Sequence, residues 1–190
     1  MTESGQERKR ARRIPGPALR FPLSVVLPGL VAAGSAAVSL RASSLPWLER
    51  LALVLAGLVL WTLLEYLLHR VLLHRVEPFR RWHQDHHQWP QQPIRVPLLF
   101  TLPLLAALTG LPLLLLGGSV SAAPLVFGLV LGHVLQENAH DRLHRGPGKP
   151  GSWVERRRLA HRFHHLDDDS VEFGTLSGFW DRVLGTVRRG

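Results

Sequence analysis

The chain has 190 residues, 11 histidines and no cysteine, and its 23 lysines and arginines against 14 aspartates and glutamates give a formal net charge of +9. That length allows one domain of ordinary size or one small membrane bundle. Without cysteine there is no disulfide scaffold, thiolate zinc site, Cys-ligated iron–sulfur cluster or cysteine nucleophile.

Residues 1–20 form a basic segment, with Arg8-Lys9-Arg10-Ala11-Arg12-Arg13 at its centre, and are expected to be a disordered tail. An apolar run follows. A basic start before such a run can be a signal peptide, and Ala36-Ala37 mimics a cleavage site. The run exceeds the roughly 7–15 residues usual for a signal, so an uncleaved anchor is expected. Further along, Val96 to Gln136 is a stretch of 41 residues with no Asp, Glu, Lys or Arg. One helix crosses a bilayer in about 20 residues, so this stretch must hold two. Gly117-Gly118-Ser119 is the natural turn between them. The expected fold is all-α, an integral membrane bundle of four transmembrane helices at about 21–41, 47–70, 95–116 and 120–140. Residues 21–190 form a single membrane domain, with loops near 42–46 and 117–120. A soluble core suits an uncharged stretch of this length far less well than lipid does.

Charge placement sets the expected topology. Only Arg41 and Arg50 lie beside the first hairpin loop. The other basic residues lie in the N-terminal tail, between spans two and three, or after span four, and four spans put those regions on one side. The positive-inside rule makes that side cytoplasmic, with both termini there. The basic balance therefore reads as topology and contact with anionic headgroups. No nucleic-acid partner is expected, because no recognition motif accompanies the charge.

Ten of the histidines fall into four groups on that same side: His69 and His74 at the end of span two, His83, His86 and His87 after it, His140 and His144 at the end of span four, and His161, His164 and His165 beyond. Residues three and four apart share a helix face, so each triplet projects together, as do His140 and His144. His69 and His74 are different: five residues leave them about 140° apart on an ideal helix. Either the helix ends or bulges there, or the two rings serve neighbouring sites. Imidazole suits iron, zinc, copper and nickel, and ten such ligands exceed what one ion can take. Two ions with about five imidazoles each fit. Carboxylates stand close by, and a ligating imidazole usually gives its other N–H to a carboxylate or carbonyl. Glu65, Asp85, Glu137 and Asp141 are expected in that supporting role. Helix caps, or salt bridges to Arg70, Arg75, Arg142 or Arg162, are the alternative. A ferritin-like carboxylate centre is excluded, because only Glu137-Asn138-Ala139-His140 has the required spacing. There is no zinc-protease His-Glu-x-x-His and no Gly-x-Ser-x-Gly elbow.

Together these groups resemble the fatty acid hydroxylase/sterol desaturase superfamily, the membrane histidine-cluster di-iron oxygenases. The resemblance runs over about 60–186. It rests on Glu65-x3-His69-x4-His74, Trp82-His83-Gln84-Asp85-His86-His87-Gln88-Trp89-Pro90, His140-x3-His144 and His161-Arg162-Phe163-His164-His165. The closing segment from Phe173 and Gly174 through Trp180-Asp181 to Gly185-Thr186 also matches. It implies two metal ions, most often iron, held at the cytoplasmic face by His69, His74, His83, His86, His87, His140, His144, His161, His164 and His165, with zinc able to replace iron in a purified preparation. It also implies dioxygen-dependent hydroxylation or desaturation of an aliphatic C–H bond of a bilayer lipid, a fatty-acyl or sterol-type substrate before a carotenoid ring. No flavin or nicotinamide fingerprint is present, so an external electron donor, a separate ferredoxin or cytochrome, is expected. The expected location is an integral membrane, the bacterial cytoplasmic membrane ahead of the endoplasmic reticulum.

His133 stands apart. Seven residues before His140, it falls within about 20° of the same helix stripe and about 10 Å deeper. It is either a structural histidine or part of a substrate channel. From other classes, a non-catalytic haem- or zinc-binding membrane protein remains. Haem leaves at least six histidines unexplained, and zinc transport calls for ionisable residues inside the spans, which are nearly bare of them.

Overall fold

The computed structural model describes residues 17–41, 44–92, 95–117 and 120–188. The chain enters on a short strand, β1 (Ala18–Arg20), and a 3-10 turn at Leu23–Val25 leads into α1 (Val26–Arg41). Next comes α2 (Trp47–Leu67), which runs on as a π-helical turn over Leu68–Leu73. The short helix α3 (Phe79–Gln88) and strand β2 (Arg95–Pro97) precede α4 (Leu98–Leu115). A second 3-10 turn, Val120–Ala122, opens α5 (Ala123–Arg145), and α6 (Trp153–Leu166) and α7 (Phe179–Val183) complete the order.

Four segments are long and apolar enough to cross a membrane: Leu23–Arg41, Trp47–Leu73, Leu98–Leu115 and Val120–Arg145. They are the four helices expected from the uncharged runs, and the fold is the helical membrane bundle those runs imply. Their ends differ in instructive ways. The second span continues three residues past Arg70 through the π turn, and the fourth runs on to Arg145, carrying His140 and His144 on the same helix. The third starts later than expected because Arg95–Pro97 is taken by β2, which pairs antiparallel with β1. The small sheet also corrects the expectation of a tail over 1–20: Ala18–Arg20 is a strand, while residues 1–16 lie outside the described residues. Its two strands are too short to leave a periodic signal in sequence. At the second hairpin turn Gly117 has φ +71°, a conformation glycine adopts without penalty. Gly118 and Ser119, like Ala42 and Ser43 of the first loop, lie outside the described residues.

Helix α5 is the axis of the bundle: 56% of its apolar window is buried, against 22% in each of the other three spans. It packs chiefly on α2 and α1. Small residues let the backbones approach, as is common where helices pack in lipid. A Cβ on Gly128 would stand 2.2 Å from the Val54 carbonyl oxygen and 3.1 Å from the Gly57 Cα. Next along, Gly132 lies flat under Trp61. Trp61, Leu105, Leu108, Val126, Leu129, Val130 and Ala32 make the core. Leu30, Leu40, Leu55, Val59, Leu114 and Leu115 point outward, as the lipid-facing side of a bundle requires. In α4, Pro103 and Pro112 each remove an intrahelical donor. Beyond the spans, α6 begins at Ser152, whose hydroxyl accepts the Glu155 amide at 3.2 Å.

Candidate metal centre

All ten clustered histidines meet at the C-terminal ends of α2 and α5. They form two groups of five whose ligand atoms lie within 4.8 Å of one another. The first is His69, His74, His83, His87 and His164, and the second is His86, His140, His144, His161 and His165. Neither group is a sequence motif. Each triplet is divided, so that α3 gives His83 and His87 to the first group and His86 to the second, while α6 gives His164 to the first and His161 and His165 to the second. The reason is angular. On an α-helix, residues i and i+4 lie about 40° apart, and the i+3 position lies about 60° to the other side of i. One helix lying between two sites therefore serves both. The groups adjoin, with the rings of His87 and His165 stacked at 4.0 Å.

The π-helical turn settles the difficult pair. Its i→i+5 hydrogen bonding brings residues five apart onto one face. His69 and His74 accordingly stand with ring centroids 5.1 Å apart, in the same group. Of the alternatives that the spacing left open, the structure has the bulge, with both rings in one group.

The nitrogen geometry fits metal coordination. In the first group His69 Nε2 lies 2.9 Å from His83 Nε2, His87 Nε2 3.0 Å from His83 Nε2, and His74 Nε2 3.1 Å from His164 Nε2. In the second, His140 Nε2 lies 3.2 Å from both His86 and His144 Nε2, and His161 Nε2 2.9 Å from His144 Nε2. Adjacent ligands of an octahedral ion at a metal–nitrogen distance of about 2.1 Å stand about 3.0 Å apart, and those of a tetrahedral ion about 3.4 Å. The tautomers agree. His69 Nδ1 donates to the Phe173 carbonyl at 2.5 Å and His164 Nδ1 to the Val171 carbonyl at 2.7 Å, which leaves a lone pair on each Nε2. Lone pairs aimed at one point repel unless a cation sits between them. Burial, then neighbouring imidazoles, holds His83 and His161 well below the usual histidine range and lowers His86 to about 3; burial, then His164, lowers His74 to about 4. These rings are neutral at physiological pH, the form that binds metal.

Three of the carboxylates expected to brace imidazoles have other partners. Glu65 Oε1 accepts the backbone amides of Thr175 and Leu176 at 2.6 and 2.8 Å. Glu137 Oε2 accepts the Ser24 hydroxyl at 2.7 Å, and its Oε1 lies 3.7 Å from His133 Nε2. Asp141 pairs with Arg145 at 2.8 Å. Asp85 stays half-buried on α3 among the triplet. For His69 and His164 that part falls instead to backbone carbonyls of the segment after α6, packed across the helix ends; Asp169 lies 3.8 Å from His74 Nδ1, too far for a hydrogen bond. A carbonyl carries no sequence signal, so spacing arguments miss it.

An apolar cavity of about 150 Å³ leads to the histidines. Leu68, Phe79, Trp82, Val96 and Phe100 line it, it touches His69 and His83 of the first group and His86 and His140 of the second, and His133 and Glu137 stand in its wall. His133 is 3% exposed and packs on Trp61 at 4.9 Å.

A profile of the fatty acid hydroxylase family matches residues 54–186, which takes in every histidine group, the cavity wall and the closing segment. The chain belongs to the fatty acid hydroxylase family. Within this family it is 32% identical over 161 residues to a dihydroceramide fatty acyl 2-hydroxylase of Arabidopsis thaliana, covering 79% of this chain and 67% of that protein. To the fatty acid 2-hydroxylase of Macaca fascicularis it is 31% identical over 150 residues, covering 71% of this chain but only 39% of that protein. The solved structure of full-length scs7p, in which only the hydroxylase domain is visible, superposes with a TM-score of 0.78 at 26% identity, covering 90% of this chain and 68% of that one. This fatty acid hydroxylase family member thus shares its fold with a hydroxylase domain and is an integral membrane protein.

Proposed function

We propose that the chain hydroxylates a membrane lipid at the acyl carbon beside the carbonyl, using dioxygen, two external electrons and two protons. One oxygen atom enters the C–H bond and the other leaves as water. The observation that carries this reading is the convergence of two five-imidazole groups at the inner end of an apolar cavity. No side chain attacks an unactivated C–H bond, so a metal must supply that chemistry. Two iron ions, one in each histidine group, would provide the activation of dioxygen. The relatives support the acyl branch over the carotenoid one, since they are named as fatty acyl and fatty acid 2-hydroxylases.

The chain's own residues do the rest. The ten imidazoles would hold both ions, five to each, without a carboxylate ligand. Leu68, Val96 and Phe100 exclude water and take up the acyl chain. Trp61 Nε1, Glu65 Oε2 and His133 Nδ1 are buried without a hydrogen-bond partner among the described residues, and all three residues line the cavity. Buried polar atoms of this kind are costly unless paired, and the carbonyl, amide and hydroxyl of a lipid head suit them. The electrons come from a separate ferredoxin or cytochrome. It docks on the side bearing the histidines, which the distribution of Lys and Arg makes the cytoplasmic side.

Expression in a host free of 2-hydroxyacyl lipids, with a reductase system supplied, tests the function. Lipid mass spectrometry should find acyl chains carrying one oxygen atom from isotope-labelled dioxygen at the 2-position, and none under argon. Ring-hydroxylated carotenoids instead, or unchanged lipids with donor and iron both present, would overturn the reading.

His133→Ala should keep two metal ions per chain and lower turnover about tenfold, the ~1.4 kcal/mol of one lost hydrogen bond. Metal analysis and rate measurement on the same preparation check it; loss of an ion in this variant would make His133 structural.

A further inference from the structure

The segment after α6 crosses the ends of α2 and α6 as a strap. Its Phe173 and Val171 carbonyls take the Nδ1 protons of His69 and His164, both in the first group. The second group has no such support at two of its rings: among the described residues, neither His161 Nδ1 nor His165 Nδ1 has a hydrogen-bond partner. The strap's shape depends on Asp181, which is fully buried. One carboxylate oxygen accepts the Phe173 amide at 2.8 Å and the Thr186 hydroxyl at 2.9 Å, and the other accepts the Gly174 amide at 3.0 Å. The Thr186 hydroxyl also meets that of Tyr66, which lies one helical turn before His69, at 3.0 Å. Gly174 has no room for a side chain, since a Cβ there would lie 2.1 Å from the Ser177 carbonyl.

We propose that Asp181 is a positioning residue for the first histidine group alone: by gripping the Phe173 and Gly174 amides it sets the carbonyls that orient His69 and His164. This rests on the reading that both groups hold metal ions. Groups that orient metal ligands characteristically alter metal affinity by about 10–100-fold when removed. Asp181→Asn keeps the volume but sets an amide N–H against one of the strap's own donors.

The test uses the full chain in detergent, stripped by a chelator and titrated with zinc as a redox-silent probe. Wild type should take up two equivalents. Two single-site backgrounds assign them: His140→Ala leaves the first group intact, and His83→Ala leaves the second. Adding Asp181→Asn should weaken zinc binding about 10–100-fold in the His140→Ala background and leave the His83→Ala background unchanged. Thr186→Val, which removes only the hydroxyl, should act in the same direction more weakly and keeps the test open if Asp181→Asn fails to fold. Leu108→Ala, a core change remote from the strap, should spare both sites. Equal weakening of both sites, or of neither, overturns the proposal. A wild type that binds no zinc overturns the metal reading beneath it.

Discussion

His164→Ala should lose one of two metal equivalents and essentially all 2-hydroxylation. His164 is fully buried at the seam of the two groups. Its Nε2 stands 3.1 Å from that of His74, its ring lies 4.6 Å from His69 and 4.8 Å from His87, and its Nδ1 proton is already committed to Val171. Replacing it removes a ligand, where Asp181→Asn only disturbs how His69 and His164 are held. The loss of affinity should therefore exceed the about 100-fold typical of an orienting partner. His164→Gln, closer in volume, separates ligand loss from the cavity that alanine leaves. Elemental analysis of the purified chain and lipid profiling of the same cells check the two halves. Retention of both ions with normal product would remove His164 from the site.

A second large effect is expected from the length of the π-helical turn. Inserting one alanine between Val71 and Leu72 makes the spacing of the pair six residues. On a regular helix that sets the second imidazole about 120° away from the first, and the first group should lose its ion and the chain its activity. Deleting Val71 should do far less. It leaves the histidines four apart, about 40° from each other on an ordinary α-helix, and Val71 itself is exposed. The asymmetry is the informative part, because a turn that mattered only for stability would suffer from both changes. Metal stoichiometry and thermal unfolding of the two variants measure it. A deletion variant as inactive as the insertion variant would show that the wider turn serves something besides the facing of two rings.

What the sequence made legible followed from signals that are local. Uncharged runs gave four helices because a bilayer imposes length and composition on any segment that crosses it. Spacings of three and four gave the shared faces of the triplets and of His140 with His144. The spacing of five between His69 and His74 raised the question of a bulge, which the π turn answers. The division of each triplet between two groups was not legible, because it depends on where α3 and α6 lie relative to α2 and α5. The supporting partners were misread for a related reason. Glu65 and Glu137 sit one turn from ligand histidines in sequence, but Glu65 is turned toward the strap amides and Glu137 toward Ser24, over a hundred positions away. Asp181 stood in a recognisable closing segment, yet only its burial and its three donors reveal its task.

The near-contact of α2 and α5 at Gly57 and Gly128 has a mechanical consequence. Two helices joined backbone to backbone bend as one beam, and that beam carries four of the ten imidazoles at its end. The opposite cavity wall is built differently: α4 carries Phe100, lacks two internal hydrogen bonds at Pro103 and Pro112, and packs far less extensively on α5 than α2 does. Compliance is therefore concentrated in α4 rather than in the α2–α5 pair that carries those four imidazoles. A load on the cavity wall thus meets its weakest packing at α4, while the paired backbones of α2 and α5 hold the spacing of the nitrogens at their ends.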